Sequence, residues 1–207
     1  CHESELENHL DFRTSSIAGS KVAMIRDKER VVAFEHNFQS MPVSGNLESD
    51  GGYDHWNCPE LPCEVKFGGM VWVTLNLEPT QDVEGWAAGA FECIRPALDT
   101  EPLEVFHYHK AIINSNFKLW HDTNSEFYHD YMHYFNRVTG FNDEYFARKC
   151  TGFDNGHVNV GSFEVQYTAM EDGKDRGELS FPELPPNQWY MIDLFPGMNF
   201  NLRGSAL

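Results

Sequence analysis

The sequence predicts an α+β fold: mostly antiparallel sheet, with one long helix that carries a candidate metal site. Three observations predict it. Met70-Val-Trp-Val-Thr-Leu-Asn-Leu77 alternates, with Val71, Val73, Leu75 and Leu77 on one face, the period of a half-buried strand. Ser20 to Asp27 and Arg30 to Phe34 flank the short turn Asp27-Lys-Glu-Arg, which reads as a hairpin. Residues 116–137 place Trp120, Phe127, Tyr131 and Phe135 at helical spacing, the apolar face of a helix packed on sheet.

The other elements follow in order. Residues 35–62 have no clear period, carry the turn signals Pro-Val-Ser-Gly and Asp-Gly-Gly, and read as a long loop. Asp82 to Ile94 reads as a helix stopped near Pro96, because proline lacks the amide that a helix interior needs. Glu104 to Ile113 has a strand pattern. For the long helix, Asn114, Ser115 or Asn116 offers an N-terminal cap, and Arg137 and Gly140 suit its end. Glu164 to Met170, Trp189 to Phe195 and Met198 to Leu202 read as strands, with a polar turn at 171–177 and a connector at 182–186.

Composition bounds the partners. The 207 residues suffice for one sizeable core or two small domains. A formal charge of −17 argues against nucleic acid and anionic membranes. No apolar run approaches a transmembrane length, and five irregularly spaced cysteines suggest no disulfide framework. A cytoplasmic protein is the expectation.

The chemistry concentrates in Asp122-Thr-Asn-Ser-Glu126-Phe-Tyr-His129-Asp-Tyr-Met-His133. Spacings of four, three and four put Asp122, Glu126, His129 and His133 on one helical stripe. Two neutral imidazoles one turn apart grip a divalent ion, and carboxylates beside them ligate, orient or relay protons. The stripe is expected to be buried. His107, His109 and His121, by contrast, read as structural or surface groups.

Asn116-Phe-Lys-Leu-Trp-His-Asp122-Thr-Asn-Ser-Glu126-Phe-Tyr-His129 resembles the iron-site helix of Rieske non-haem iron oxygenase α subunits (the aromatic-ring-hydroxylating type). That pattern opens with Asn-Trp-Lys, places two carboxylates four apart, then Tyr-His and a second His. Looser likeness extends over Ser16 to Asp27, Leu61 to Val73 and Leu184 to Leu202. The resemblance implies a partial Rieske-like β domain at 1–80 and, at 81–207, a helix-grip-like catalytic domain, antiparallel sheet wrapped on a long helix and truncated at its C-terminus.

It also implies roles. His129 and His133 would hold a mononuclear Fe(II) within a 2-His-1-carboxylate site with positions left for O₂. Glu126 would bridge toward the cluster of a neighbouring subunit, and Asp122 would help hold that path. The implied reaction is mono- or dioxygenation of an organic substrate, aromatic by the family's weight, with small alkylsulfonates or amines as further candidates. Electrons would come from NAD(P)H through a ferredoxin or reductase, into a homotrimeric ring that sometimes carries a β subunit.

Three departures stand against the pattern. The two histidines are one residue closer than is usual in the family. A Rieske [2Fe–2S] cluster needs two cysteines and two histidines, and neither Cys-x-His nor Cys-x-x-His occurs among Cys1, Cys58, Cys63, Cys93 and Cys150. By the resemblance, the carboxylate ligand of iron falls beyond Leu207 unless Asp193 or another carboxylate substitutes. An incomplete α subunit is the expectation. Two other readings compete. His129-Asp130-x-x-His133 also fits a zinc hydrolase helix with Asp130 as the base, and the same fold could be a ligand-binding module without catalysis.

Overall fold

The computed structural model describes residues 1–35, 41–99, 102–125, 150–164 and 188–203. It divides into two compact units, Cys1–Val83 with Glu101–Lys110, and Glu84–Thr100 with Ala111–Leu207.

The first unit is built on a five-stranded antiparallel sheet. Its strands are β1 (Asp11–Ile17), β2 (Ser20–Asp27), β3 (Arg30–Glu35), β4 (Ser44–Asn46) and β5 (Glu60–Leu61), in the order β4-β1-β2-β3-β5. A separate hairpin pairs β6 (Cys63–Lys66) with β7 (Met70–Val73). Both faces of β2 and β3 are covered, so Val22 to Ile25 and Val31 to Phe34 are buried without a break. Because side chains alternate across a sheet, Val22, Met24, Val31 and Ala33 meet Leu6, Leu61 and Val71 on one face. Ile25, Val32 and Phe34 meet Phe12 and Leu47 on the other, beside Tyr53 and Trp56. Two-residue turns close both hairpins. Ala18 and Gly19 both take positive φ, which matches the twist of the flanking strands.

Several expectations change here. The loop over 35–62 contains β4, β5 and a short 3₁₀ turn at Glu48–Asp50. These pieces are too short to show a period in the sequence. The alternating run 70–77 is strand only to Val73. From Thr74 the polar side chains of Thr74 and Asn76 cap local turns by accepting the amides of Asn76 and Glu78. Glu104 to Ile113 forms no strand. Residues 104–108 lie along the first unit instead, where the Val105 amide donates to Ser4 Oγ at 3.1 Å and Arg13 stacks over the Tyr108 ring at 4.9 Å. His107 and His109 are exposed on this strap.

In the second unit the described strands are β8 (Cys150–Gly152), β9 (Val158–Glu164), β10 (Gln188–Leu194) and β11 (Met198–Arg203), antiparallel in the order β11-β10-β9-β8. The helix expected over 82–94 is two short helices, α1 (Val83–Ala87) and α2 (Arg95–Asp99). Ala88 and Gly89 between them have positive φ, which ends the first helix. Pro96 lies in the first turn of α2, where its missing amide costs nothing. The intervening turns bury Ala90, Phe91 and Ile94, and Phe91 meets Phe200 of β11 edge-on at 5.1 Å.

The long helix appears as α3 (Phe117–Ser125). Asn116 is its cap: Oδ1 accepts the Lys118 amide at 3.0 Å. The strand expected at 164–170 is described only at Glu164, which ends β9. Residues 126–149 and 165–187, including the polar turn and the connector, lie outside the described residues.

Candidate functional site

Of the stripe, Asp122 alone is described. It is exposed near the end of α3. Glu126, His129, Asp130 and His133 lie outside the described residues. The expected burial does not hold for the described part of the helix, where Phe117, Leu119 and Trp120 are about half exposed or more. Among the described residues that turn inward is His121, its side chain 14% exposed. One helical step, about 100°, separates it from Asp122.

His121 meets the most unusual group of the second unit. Asp193 lies in β10 between Ile192 and Leu194, and all three are fully buried. Alternation sends Ile192 and Leu194 to one face of the sheet and Asp193 to the other, where α3 packs. There His121 Nδ1 lies 2.9 Å from Asp193 Oδ2, and the imidazole stands edge-on to the Phe195 ring at 5.5 Å. A carboxylate this deep persists only with a polar or charged partner. Asp193, which the sequence offers as a substitute iron ligand, thus has Oδ2 in close contact with His121 Nδ1, in a geometry that makes no hydrogen bond.

A second buried histidine adjoins this pair. His157, fully buried, places Nε2 at 2.8 Å from the Trp86 carbonyl, and its Nδ1 accepts the Phe195 amide at 3.1 Å. An acceptor nitrogen carries no proton, so the proton sits on Nε2 and is donated to Trp86. The ring is thus neutral with both nitrogens used. Burial pushes its pKa below the usual imidazole value against the Trp86 hydrogen bond, and nearby His121 adds to the lowering. Asn155 Nδ2 donates to the same Trp86 carbonyl at 2.8 Å, and the Trp86 ring meets His157 edge-on at 4.6 Å.

The sequence signals half of this. Asp193 interrupts the apolar run Trp189-Tyr-Met-Ile-Asp-Leu-Phe195, and an ionisable group in such a run needs a partner. Nothing local singles out His157 or names His121 as that partner, because His121 and Asp193 are 72 residues apart and His157 meets Trp86 and Phe195 across 71 and 38 residues.

A Rieske cluster finds no fit among the described residues. They contain no group of three or more His, Cys, Asp or Glu side chains that could hold a metal. Burial raises the thiol pKa of Cys58 and Cys93 and pushes that of Cys63 up to about 11, away from the thiolate that ligation needs. His2 is committed structurally: Nδ1 accepts the Ser4 amide and Nε2 contacts the Gly68 carbonyl.

No family model matches the chain. The methanesulfonate monooxygenase hydroxylase α subunit of Methylosulfonomonas methylovora is 48% identical over 251 residues, covering 100% of this chain and 60% of that protein. The 2-aminobenzenesulfonate 2,3-dioxygenase α subunit of Alcaligenes sp is 28% identical over 244 residues, covering 100% of this chain and 62% of that protein. A quaternary ammonium Rieske monooxygenase solved with an inhibitor shares the fold at a TM-score of 0.69 and 16% identity, over 98% of this chain and 60% of its own. The chain thus spans about three fifths of the length of the relatives it matches. The match to the first relative runs over 251 positions against 207 residues here, so 44 positions (251 − 207) have no counterpart in this chain. Over its whole length the chain is homologous to α subunits of Rieske-type oxygenases, and it shares their fold.

Proposed function

We propose that the chain is the oxygenase component of a Rieske-type system and hydroxylates a small organic sulfonate with O₂. The observation that carries this is the 48% identity along the whole chain to a methanesulfonate monooxygenase hydroxylase α subunit. A second relative also has a sulfonate in its name, there on an aromatic ring. A sulfonate, alkyl or aromatic, is therefore favoured over a plain aromatic hydrocarbon.

His129 and His133 hold the metal in this reading. Two imidazoles with carboxylates one turn away suit a ferrous ion. When bound, iron supplies O₂ activation. The chain's own residues supply the rest. Glu126 links the site to the incoming electrons, Asp122 orients that link, and the sheet keeps substrate beside the metal and away from water. The reaction consumes one substrate C–H bond, O₂, two electrons and two protons, and gives the alcohol and water; dioxygenation instead places both oxygen atoms in the product.

The described residues do not fit a [2Fe–2S] cluster. We place a Rieske-like β scaffold at residues 1–80 and a helix-grip catalytic domain at 81–207. Electrons come from a ferredoxin or reductase, and a ring of subunits is the natural assembly. One solved relative is described in connection with inter-subunit electron transfer.

The test is turnover by the full chain loaded anaerobically with Fe(II). Methanesulfonate, O₂ and a chemical reductant should give a product carrying oxygen from ¹⁸O₂, and His129→Ala should abolish it. An iron-bound chain that leaves both methanesulfonate and 2-aminobenzenesulfonate untouched would refute the substrate assignment.

A further inference from the structure

We propose that the open edge of β1 holds a binding site for a small tetrahedral oxyanion, an organic sulfonate or an inorganic sulfate or phosphate, flanked by Lys21 and Lys110. The inference stands on the first unit alone and does not depend on the iron-site reading.

Strand register creates the opening. β4 pairs with β1 only as far as Ser44 opposite Arg13, and the Thr14 amide then donates to the Val43 carbonyl at 2.7 Å. Thr14 Oγ1 is used as well, donating to the Pro42 carbonyl at 3.1 Å. Amides alternate in direction along a strand, so the Ser16 N–H points to the same side as that of Thr14. No described backbone carbonyl meets it there. A free N–H on a sheet edge is a donor that an anion can take.

The surroundings carry charge of one sign. Ser16 is opposite Lys21 in the β1–β2 ladder, so the two side chains share a face. Lys110 ends the strap that Arg13 holds through the Tyr108 ring at 4.9 Å, and it belongs to the same unit. Lys21, Lys110, Tyr108, Ser15 and Ser16 line one pocket of about 260 Å³. That is just below the roughly 300–1,000 Å³ of drug-sized ligand pockets, which suits a ligand of a few atoms. No described carboxylate lines it, although acidic residues outnumber basic ones 32 to 15 in the chain. Neither lysine is ion-paired among the described residues. Arg13 differs: it is paired with Glu5 at 2.8 Å and positions the strap.

The donor set points to the ligand. Ammonium and amide groups donate and cannot accept, so they match a group that accepts on several oxygens and carries negative charge. Met41 and Val43 line the pocket too and offer an apolar side to the organic group of a small sulfonate.

The experiment titrates the ¹⁵N-labelled full chain separately with sodium sulfate, phosphate and methanesulfonate. Ionic strength is held constant with sodium chloride, and backbone amide resonances are followed. The Ser16 amide should shift most, with Ser15 and Lys21 following, and the shifts should saturate. Lys21→Gln and Lys110→Gln, both at exposed positions, should each weaken binding by about tenfold and leave the rest of the spectrum in place. Saturation by all three ions assigns the site to the shared oxyanion head. Saturation by methanesulfonate alone assigns it to sulfonates, and by sulfate or phosphate alone to the inorganic ion. Shifts that grow without saturating, that chloride reproduces, that spare Ser16, or that persist at full affinity in both variants overturn the site.

Discussion

The first unit and the second keep their shape by different means. In the first, β2 and β3 are apolar on both faces, and specificity comes from alternation: a one-residue slip would exchange two apolar clusters of different shape. In the second, β10 carries Ile192 and Leu194 on one face and a buried carboxylate on the other. The first kind of packing is strong and tolerant of chemistry. The second is unforgiving, since a buried polar group is costly as soon as its partner is lost. The difference shows where this fold spends stability, on the strand that faces the helix leading to the candidate site.

The comparison can be broken first by truncation. Ile25→Ala, at a fully buried position in the first unit, should cost about 2–5 kcal/mol, read by denaturant unfolding. Asp193→Ala should cost about 3 kcal/mol, the lower end for breaking a buried pair. The cost should shrink in the His121→Ala background, because the partner is already gone; an undiminished cost in that background would mean the two residues are not energetically paired.

A smaller effect is tied to the first unit's hairpin. Gly69 has φ +87°, and a Cβ there would lie 2.6 Å from His2 Nε2. Gly69→Ala should therefore cost about 1–2 kcal/mol through its left-handed backbone, with additional strain at His2. A melting temperature equal to that of the parent would contradict this.

The smallest effect depends on pH. His157 is held neutral, with its folded pKa below the unfolded value of 6.5. Between the two values the unfolded chain binds the extra proton. Stability from this group is therefore full above about pH 6.5 and falls as pH drops toward the folded value. His157→Asn should lose stability at every pH but show a flatter slope over that window. An equally steep acid slope in the variant would assign the loss to other groups.

Much of the first unit was legible in the sequence. The runs 20–27 and 30–34 became β2 and β3 with nearly the expected bounds, because two long apolar strands around a tight turn are local information. The run Asp11–Ile17 passed unnoticed because only Phe12 in it is buried, so no alternation shows. Glu104 to Ile113 misled for the opposite reason: β-branched and aromatic residues there lie exposed on a strap instead of pairing. In the second unit, Trp189–Phe195 and Met198–Leu202 match β10 and β11 to within a residue at each end, whereas Pro96, read as a stop, lies in the first turn of α2.

The candidate site was legible as a motif and not as a geometry. The stripe from Asp122 to His133 can be read from spacing alone, since a helix turns spacing into position. The His121–Asp193 and His157–Trp86 contacts join distant segments, and no local pattern encodes them.

The most direct test of the account is the iron content of the full chain after anaerobic loading, beside His129→Ala and His133→Ala. The account predicts about one tightly held ferrous ion per chain, lost in both variants. A chain that holds no iron, or holds it equally well without either imidazole, would contradict it.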